Sequence, residues 1–198
     1  MKFLFFKFYW QSILEEYYES YNEELYLLKG GIKLKKFLLL ISLLSFILVS
    51  CSSSINSYQN VSLAKKDSFI VLPFENNTET PLAGIRASKI AEGVLISHGF
   101  NINGKIYKQK EYKAEEIKEL LEKVKKEGYR YAVLGDVNEW RYKTGIDGEP
   151  AVNITMRIID LKTGKTVWSG VASKSGMGYS SIGTLAQDLL NEFAESIK

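Results

Sequence analysis

Two carboxylates, Asp147 and Glu149, stand two residues apart in the short segment between Gly145 and Pro150. Paired carboxylates can do acid/base work, as in glycoside cleavage, where the two groups flank the scissile bond. Such pairs normally come from separate elements, whereas an i, i+2 pair in one loop reads as a solvated turn or as two negative charges presented together. Other chemistry-bearing residues are few. His98 is the sole histidine and Cys51 the sole cysteine. A histidine beside the helix terminator Gly99 reads as a cap or surface residue, and a Ser-His-Asp triad has little else to stand on. One cysteine excludes an internal disulfide, and with one histidine it cannot build a Cys/His zinc site. Serine-elbow, HExxH and P-loop spacings are missing. Gly176-Met177-Gly178 lacks the third glycine of a dinucleotide fingerprint. The residues therefore predict no enzyme, no cofactor and no metal.

The surroundings of Cys51 are more specific. Lys33, Lys35 and Lys36 precede residues 37–49, which are apolar except for Ser42 and Ser45. A membrane-spanning helix needs about 20 such residues, while about 10–14 suits a signal-peptide core. The run closes on Leu48-Val49-Ser50-Cys51 and turns polar at once over residues 52–60. Branched residues, a small residue and a cysteine in that order match a bacterial lipobox. Residues 34–50 are thus expected to be a signal peptide and Cys51 the acylated first residue of the mature chain. Two or more acyl chains anchor stably where one binds only marginally. Residues 1–33 mix aromatics with Glu15, Glu16, Glu19, Glu23 and Glu24 and do not fit a signal peptide. They are expected to be an upstream extension, with translation starting near Leu34.

Of the 198 residues, 148 follow the proposed cleavage point. A single domain of that length buries roughly 68–70% of its unfolded surface, enough for a core without staples. The formal charge of +3 falls to +2 once residues 1–50 are set aside. No stretch is basic enough for a nucleic-acid footprint, and nothing resembles a base-stacking platform.

The elements that must position these residues follow from periodicity. Residues 51–65 read as a flexible Ser/Asn-rich tether. Residues 68–72 are a continuous apolar run of strand length ended by Pro73. Thr80 is expected to cap a helix with Pro81 at its first position, burying Leu82, Ile85, Ala91, Val94 and Leu95 and closing at His98-Gly99. Residues 101–107 form a weaker strand. Ile117, Leu120, Leu121 and Val124 mark a helix stripe ended by Gly128. A strand follows over residues 131–140, then the Gly- and acid-rich loop of residues 143–150. Val152, Ile154, Met156 and Ile158 alternate with polar residues as a half-buried strand should. A hairpin turn at residues 160–165 returns the chain over 166–173. Ile182, Leu185, Leu189 and Phe193 build a last helix. The expected order β-α-β-α-β-β-β-α defines a single α/β sandwich over residues 66–198, with a mixed sheet and helices mainly on one face.

Two stretches carry a resemblance. The segment VLPFENNTETPLAG, residues 71–84, resembles a wide group of periplasmic lipoproteins that includes activators of peptidoglycan synthases. The more discriminating run is GDVNEWRYKTGIDGEPAV, residues 135–152, together with Ile159-Asp160-Leu161, Gly164-Lys165, Val167-Trp168-Ser169 and Ser175-Gly176. With these the chain resembles the PelC family, outer-membrane lipoproteins of the Pel exopolysaccharide secretion system, over about residues 66–196. The resemblance implies a non-enzymatic component lipid-anchored on the periplasmic face of the outer membrane. It implies a twelve-subunit ring beside a β-barrel export protein, whose acidic lumen guides a cationic exopolysaccharide. Asp147 falls on the family's lumen acid. Glu149 and Asp136 join it as candidates from chemistry alone. The family also places an aromatic residue, usually Trp, after Ser-Gly near the last helix as a membrane contact. Here Met177 stands in that place, with Tyr179 close by.

The rival reading is an activator of a peptidoglycan synthase that acts by binding a protein partner across the periplasm. A tether over residues 51–65 reaches at most ~50 Å at ~3.3–3.6 Å per residue. That length favours work near the outer membrane. A glycosidase is a third reading, disfavoured by the one-loop placement of its carboxylates.

Overall fold

The computed structural model describes residues 53–142, 148–176 and 180–198. Cys51, Asp147, Met177 and Tyr179 lie outside these residues, as does the expected signal segment.

Three long strands form an antiparallel meander: β4 (Tyr131–Arg141), β5 (Ala151–Asp160) and β6 (Lys165–Ser175). The alternation of β5 is literal, with Val152, Ile154, Met156 and Ile158 buried and Asn153, Thr155 and Arg157 on the other face. At the β5–β6 turn Gly164 has φ 71°, a conformation glycine adopts without steric cost. Asp160 closes that turn by accepting the N–H groups of Lys162 (2.8 Å) and Thr163 (3.2 Å) and the Arg130 guanidinium (2.6 Å). Burial pushes the Asp160 carboxyl up, but those three donors outweigh it and hold it below the usual carboxylate range.

With β1 (Ser53–Gln59) and β2 (Phe69–Val71) at its two ends, the order across the sheet is β1-β6-β5-β4-β2. β2 (Phe69–Val71) and, farther along, β3 (Glu75–Asn76) both run parallel to β4. The α/β class with a mixed sheet is as expected. α1 (Ala83–Ser97) and α3 (Ile182–Ser196) share one face, where Ala87, Ala91 and Leu95 meet Leu185, Leu189 and Phe193 over the inner residues of β4, β5 and β6. Phe193 is fully buried and stands edge-on to Trp168 at 5.4 Å. Burying such a side chain contributes about 1.5–3 kcal/mol. α2 (Ala114–Lys126) lies on the opposite face, where Val124 joins Ile70, Leu72, Ala132 and Leu161.

Three local expectations change. Residues 53–59, read as part of a tether, form strand β1 (Ser53–Gln59), antiparallel to β6 along its whole length. Their Ser and Asn content hid a strand that needs only one covered face. The strand expected over residues 101–107 reduces to a single bridge between Phe69 and Ile102. Thr80 does not cap α1. Its Oγ1 instead donates to the Trp140 carbonyl at 2.7 Å, and the helix begins at Ala83 after Leu82, whose φ is 61°. At this helix start the backbone of Phe74 crowds Gly84 so closely that a Cβ there would sit 2.1 Å from the Phe74 oxygen. Ser88 fastens the contact, accepting the Phe74 N–H and donating to the Gly84 carbonyl, both at 2.8 Å.

Candidate functional site

The register gathers the candidate residues' flanks at one end of the sheet. Arg141 at the end of β4 pairs with Ala151 at the start of β5, and Ala151 pairs with Ser175 at the end of β6. Lys174 in turn pairs with Ser53 at the start of β1. The Gly176 N–H donates to the Pro150 carbonyl at 2.9 Å. The start of β1, the loop that ends in Glu149-Pro150 and the turn that begins at Gly176 therefore share one edge of the molecule.

Each part of that edge is held locally. Gly176 is buried, and a Cβ on it would meet Ser180 Cβ at 2.7 Å and Leu185 Cδ2 at 2.9 Å, so Gly176 itself lies tight against Ser180 and α3. Ser181 caps α3 by accepting the Thr184 N–H at 3.1 Å. Lys174 is largely enclosed and pairs with Asp188 (3.2 Å) and Glu192 (3.4 Å) of α3. Burial would lower its pKa, but the two carboxylates hold the ammonium above its usual range. Glu149 is exposed, and Glu139 on β4, opposite Asn153, is partnered by Arg141 at 3.3 Å.

Asp136 sits elsewhere, mid-way along β4 on the sheet face that α2 leaves partly open. Its Oδ2 accepts from Arg157 Nη2 at 2.9 Å, so its charge is already met. Sequence reasoning missed the array next to it. Asn77 donates to Asn138 at 3.2 Å, and Asn138 donates to Asn153 (2.9 Å) and Thr155 (3.2 Å). Asn153 continues the ladder by donating to Ser173. Asn138 shares this face with Asp136 by the alternation of β4, and the bulge between Val137 and Glu139 then returns Trp140 to the core. The alternation of β4 and β5 could have placed Asn138, Asn153 and Thr155 on one face, but nothing in the sequence announces their hydrogen bonding.

Also missed was an open cleft of about 600 Å³ lined by Glu75, Glu79, Glu111 and Glu115, with Lys113 at its rim. Glu111 accepts from Asn76 at 3.2 Å and from the Leu82 N–H. His98 ends α1 and reaches Asn191 of α3 at 3.1 Å, a packing role rather than a reactive one. Among the described residues no group of three or more His, Cys, Asp or Glu could hold a metal, and no helix is long and apolar enough to cross a membrane.

The fold and this edge define a single-domain α/β protein whose mixed sheet carries a strand-end surface. A PelC dodecamer from Paraburkholderia phytofirmans matches with a TM-score of 0.60 and 32% identity, covering 71% of this chain and 94% of that one. A methionine-substituted PelC dodecamer from the same organism matches at 0.59 and 32%, covering 70% and 94%. No protein-family profile and no curated protein sequence matches. The chain belongs to the PelC family.

Proposed function

We propose that this chain is a non-enzymatic envelope lipoprotein that assembles with copies of itself into a ring and guides a cationic exopolysaccharide to an outer-membrane export channel. The observation that carries the reading is the shared edge at the start of β1. Acylated Cys51 precedes Ser53 by two residues, which at ~3.3–3.6 Å each leaves a link of only about 7 Å between lipid and sheet. On this reading Met177 and Tyr179, which follow Gly176 in the chain, meet the bilayer interface, where a flexible apolar chain and a ring with a wet hydroxyl both fit. Asp147 and Glu149, which precede Pro150 in the chain, supply negative charge to the lumen. In a twelve-membered ring they supply about 24 carboxylates, whose fields focus in a confined lumen. Weak attraction repeated many times lets a polymer slide, whereas one strong site would hold it. The short link also disfavours an activator that must reach across the periplasm.

Export tests the reading. Secreted cationic polysaccharide is measured in cells carrying wild type or the double variant Asp147→Lys, Glu149→Lys at equal protein level. Export is expected to collapse in the variant, and normal export overturns the guiding role. Labelling with a clickable fatty acid, expected on wild type and lost in Cys51→Ser, tests the anchor separately.

A further inference from the structure

We propose that the free edge of β1 is the surface by which one copy of this chain grips the next, an inference that rests on the ring reading above. β1 ends the sheet, with β6 on one side and, among the described residues, no strand on the other. The opposite edge is occupied at Phe69, which donates to the Asn101 carbonyl at 2.9 Å and accepts from the Asn103 N–H at 3.0 Å.

Edge strands of soluble proteins are usually blunted by lysine, proline, a bulge or a covering segment. β1, with the sequence SSINSYQ, has no charge and no proline, and its pairing with β6 shows no register shift. The Asn60 N–H donates to the Val167 carbonyl at 3.2 Å. By the alternation of an antiparallel ladder, Asn56 and Tyr58 then turn their backbone groups towards β6, while Ile55 and Ser57 turn theirs outward. Apolar area collects at the same place. Six large apolar residues stand exposed among the described residues, and four of them, Ile55, Tyr58, Val61 and Val171, lie on β1, just after it, or on β6 opposite it. Ile55 and Tyr58 point to opposite faces of the strand, so the patch wraps the edge on both sides.

A second copy is the occupant this chemistry selects. A charged polymer needs countercharge, and the edge carries none. A protein surface can take the outward amides with its own backbone and cover both flanks with side chains. The 32%-identical relative is a twelve-membered assembly. A closed ring of one chain needs each copy to present two different patches. The β2 edge is three residues long and already paired at Phe69, so the β1 edge meets a different surface of its neighbour.

The test uses the lipidated full chain in detergent and native mass spectrometry. Ser57→Pro removes an outward N–H and leaves the β1–β6 ladder intact, because proline is tolerated where a strand N–H faces solvent. Tyr58→Lys places a charge on the patch. Ile96→Lys, at an exposed position on α1, is the control. Circular dichroism reports whether each variant folds. Loss of the high-mass species in the folded Ser57→Pro and Tyr58→Lys variants, with Ile96→Lys still assembled, is the expected result. A wild type that stays monomeric overturns the ring reading itself. A wild type that assembles together with β1 variants that assemble equally well overturns this inference alone, as does an Ile96→Lys variant that dissociates like them.

Discussion

The carboxamide of Gln59 grips both backbone groups of Lys198. Its Oε1 accepts the Lys198 N–H at 2.9 Å and its Nε2 donates to the Lys198 carbonyl. That carbonyl also accepts the Leu63 N–H at 2.9 Å, so one side chain at the end of β1 ties the segment after it to the residue that follows α3. Leu63 and Ile197 are buried on either side of this clasp. Gln59→Ala removes these two hydrogen bonds and a third, from Nε2 to the Val61 carbonyl at 2.6 Å, each with a net contribution of about 0.5–1.5 kcal/mol. Faster amide exchange at Leu63 and Lys198 is expected, together with a lower thermal midpoint. Unchanged exchange at Leu63 would show that the clasp contributes nothing to holding the segment.

Asp160 gives the stability a defined dependence on pH. Its folded-state pKa is depressed, so its contribution is fully present above the unfolded value near ~3.9 and is lost as pH falls through the folded value. Asp160→Asn keeps an acceptor for the Lys162 and Thr163 N–H groups but leaves Arg130 without its charge partner. A loss of about 1.5–3 kcal/mol at neutral pH is expected, the range for hydrogen bonds to charged groups. The gap between wild type and variant should narrow as pH falls below about 4. Urea melts at a series of pH values from 7 down measure it, and a gap that does not shrink on acidification would contradict the assignment.

Gly84 is required by space rather than by backbone angle. The Phe74 oxygen stands 2.1 Å from where a Cβ would be, and Asn76 N stands at 3.4 Å. Both are backbone atoms that cannot rotate away. Overpacking of this kind costs about 1–3 kcal/mol. Gly84→Ala should therefore destabilise the domain although alanine is the better helix former, whereas Gly93→Ala, which meets nothing within 4 Å on α1, should be neutral or stabilising. Paired denaturation curves give the comparison.

The long strands and helices were legible because each carries its own period. The alternation of β5 and the 3.6-residue stripe of α2 come from residues that face a single core. The segment of residues 71–84 was harder, since its helix start packs against the backbone of Phe74, ten residues upstream, through a contact that local propensity does not register. β1 was misread for a related reason. An edge strand with one covered face needs few apolar residues, and Ser, Asn and Gln there look like tether. Of the candidate site, Asp147, Glu149 and Gly176 were visible in the sequence. The convergence of Pro150 and Gly176 with the start of β1 was not, because it depends on three strand registers together.

The same registers separate Asp136 from Glu149, two carboxylates the sequence left equal. Asp136 is half-buried and accepts from Arg157 Nη2 at 2.9 Å, while the buried Arg157 Nε has no hydrogen-bond partner among the described residues. Glu149 stands exposed at the sheet end. A carboxylate already matched by a guanidinium contributes little net field to a passing cation, while an exposed one acts within the ~8 Å screening length of physiological salt. Glu149→Gln should therefore reduce binding of a soluble cationic oligosaccharide, more clearly at low salt than at high. Asp136→Asn should leave that binding unchanged and instead cost about 0.2–1 kcal/mol of stability, since the pair is partly exposed and partly screened. Titrating both variants with the oligosaccharide at two salt concentrations, beside a thermal melt of each, separates the two roles. Equal loss of binding in Asp136→Asn and Glu149→Gln would mean that the Arg157 pair opens when the polymer arrives, and that the lumen charge extends onto the face of the sheet.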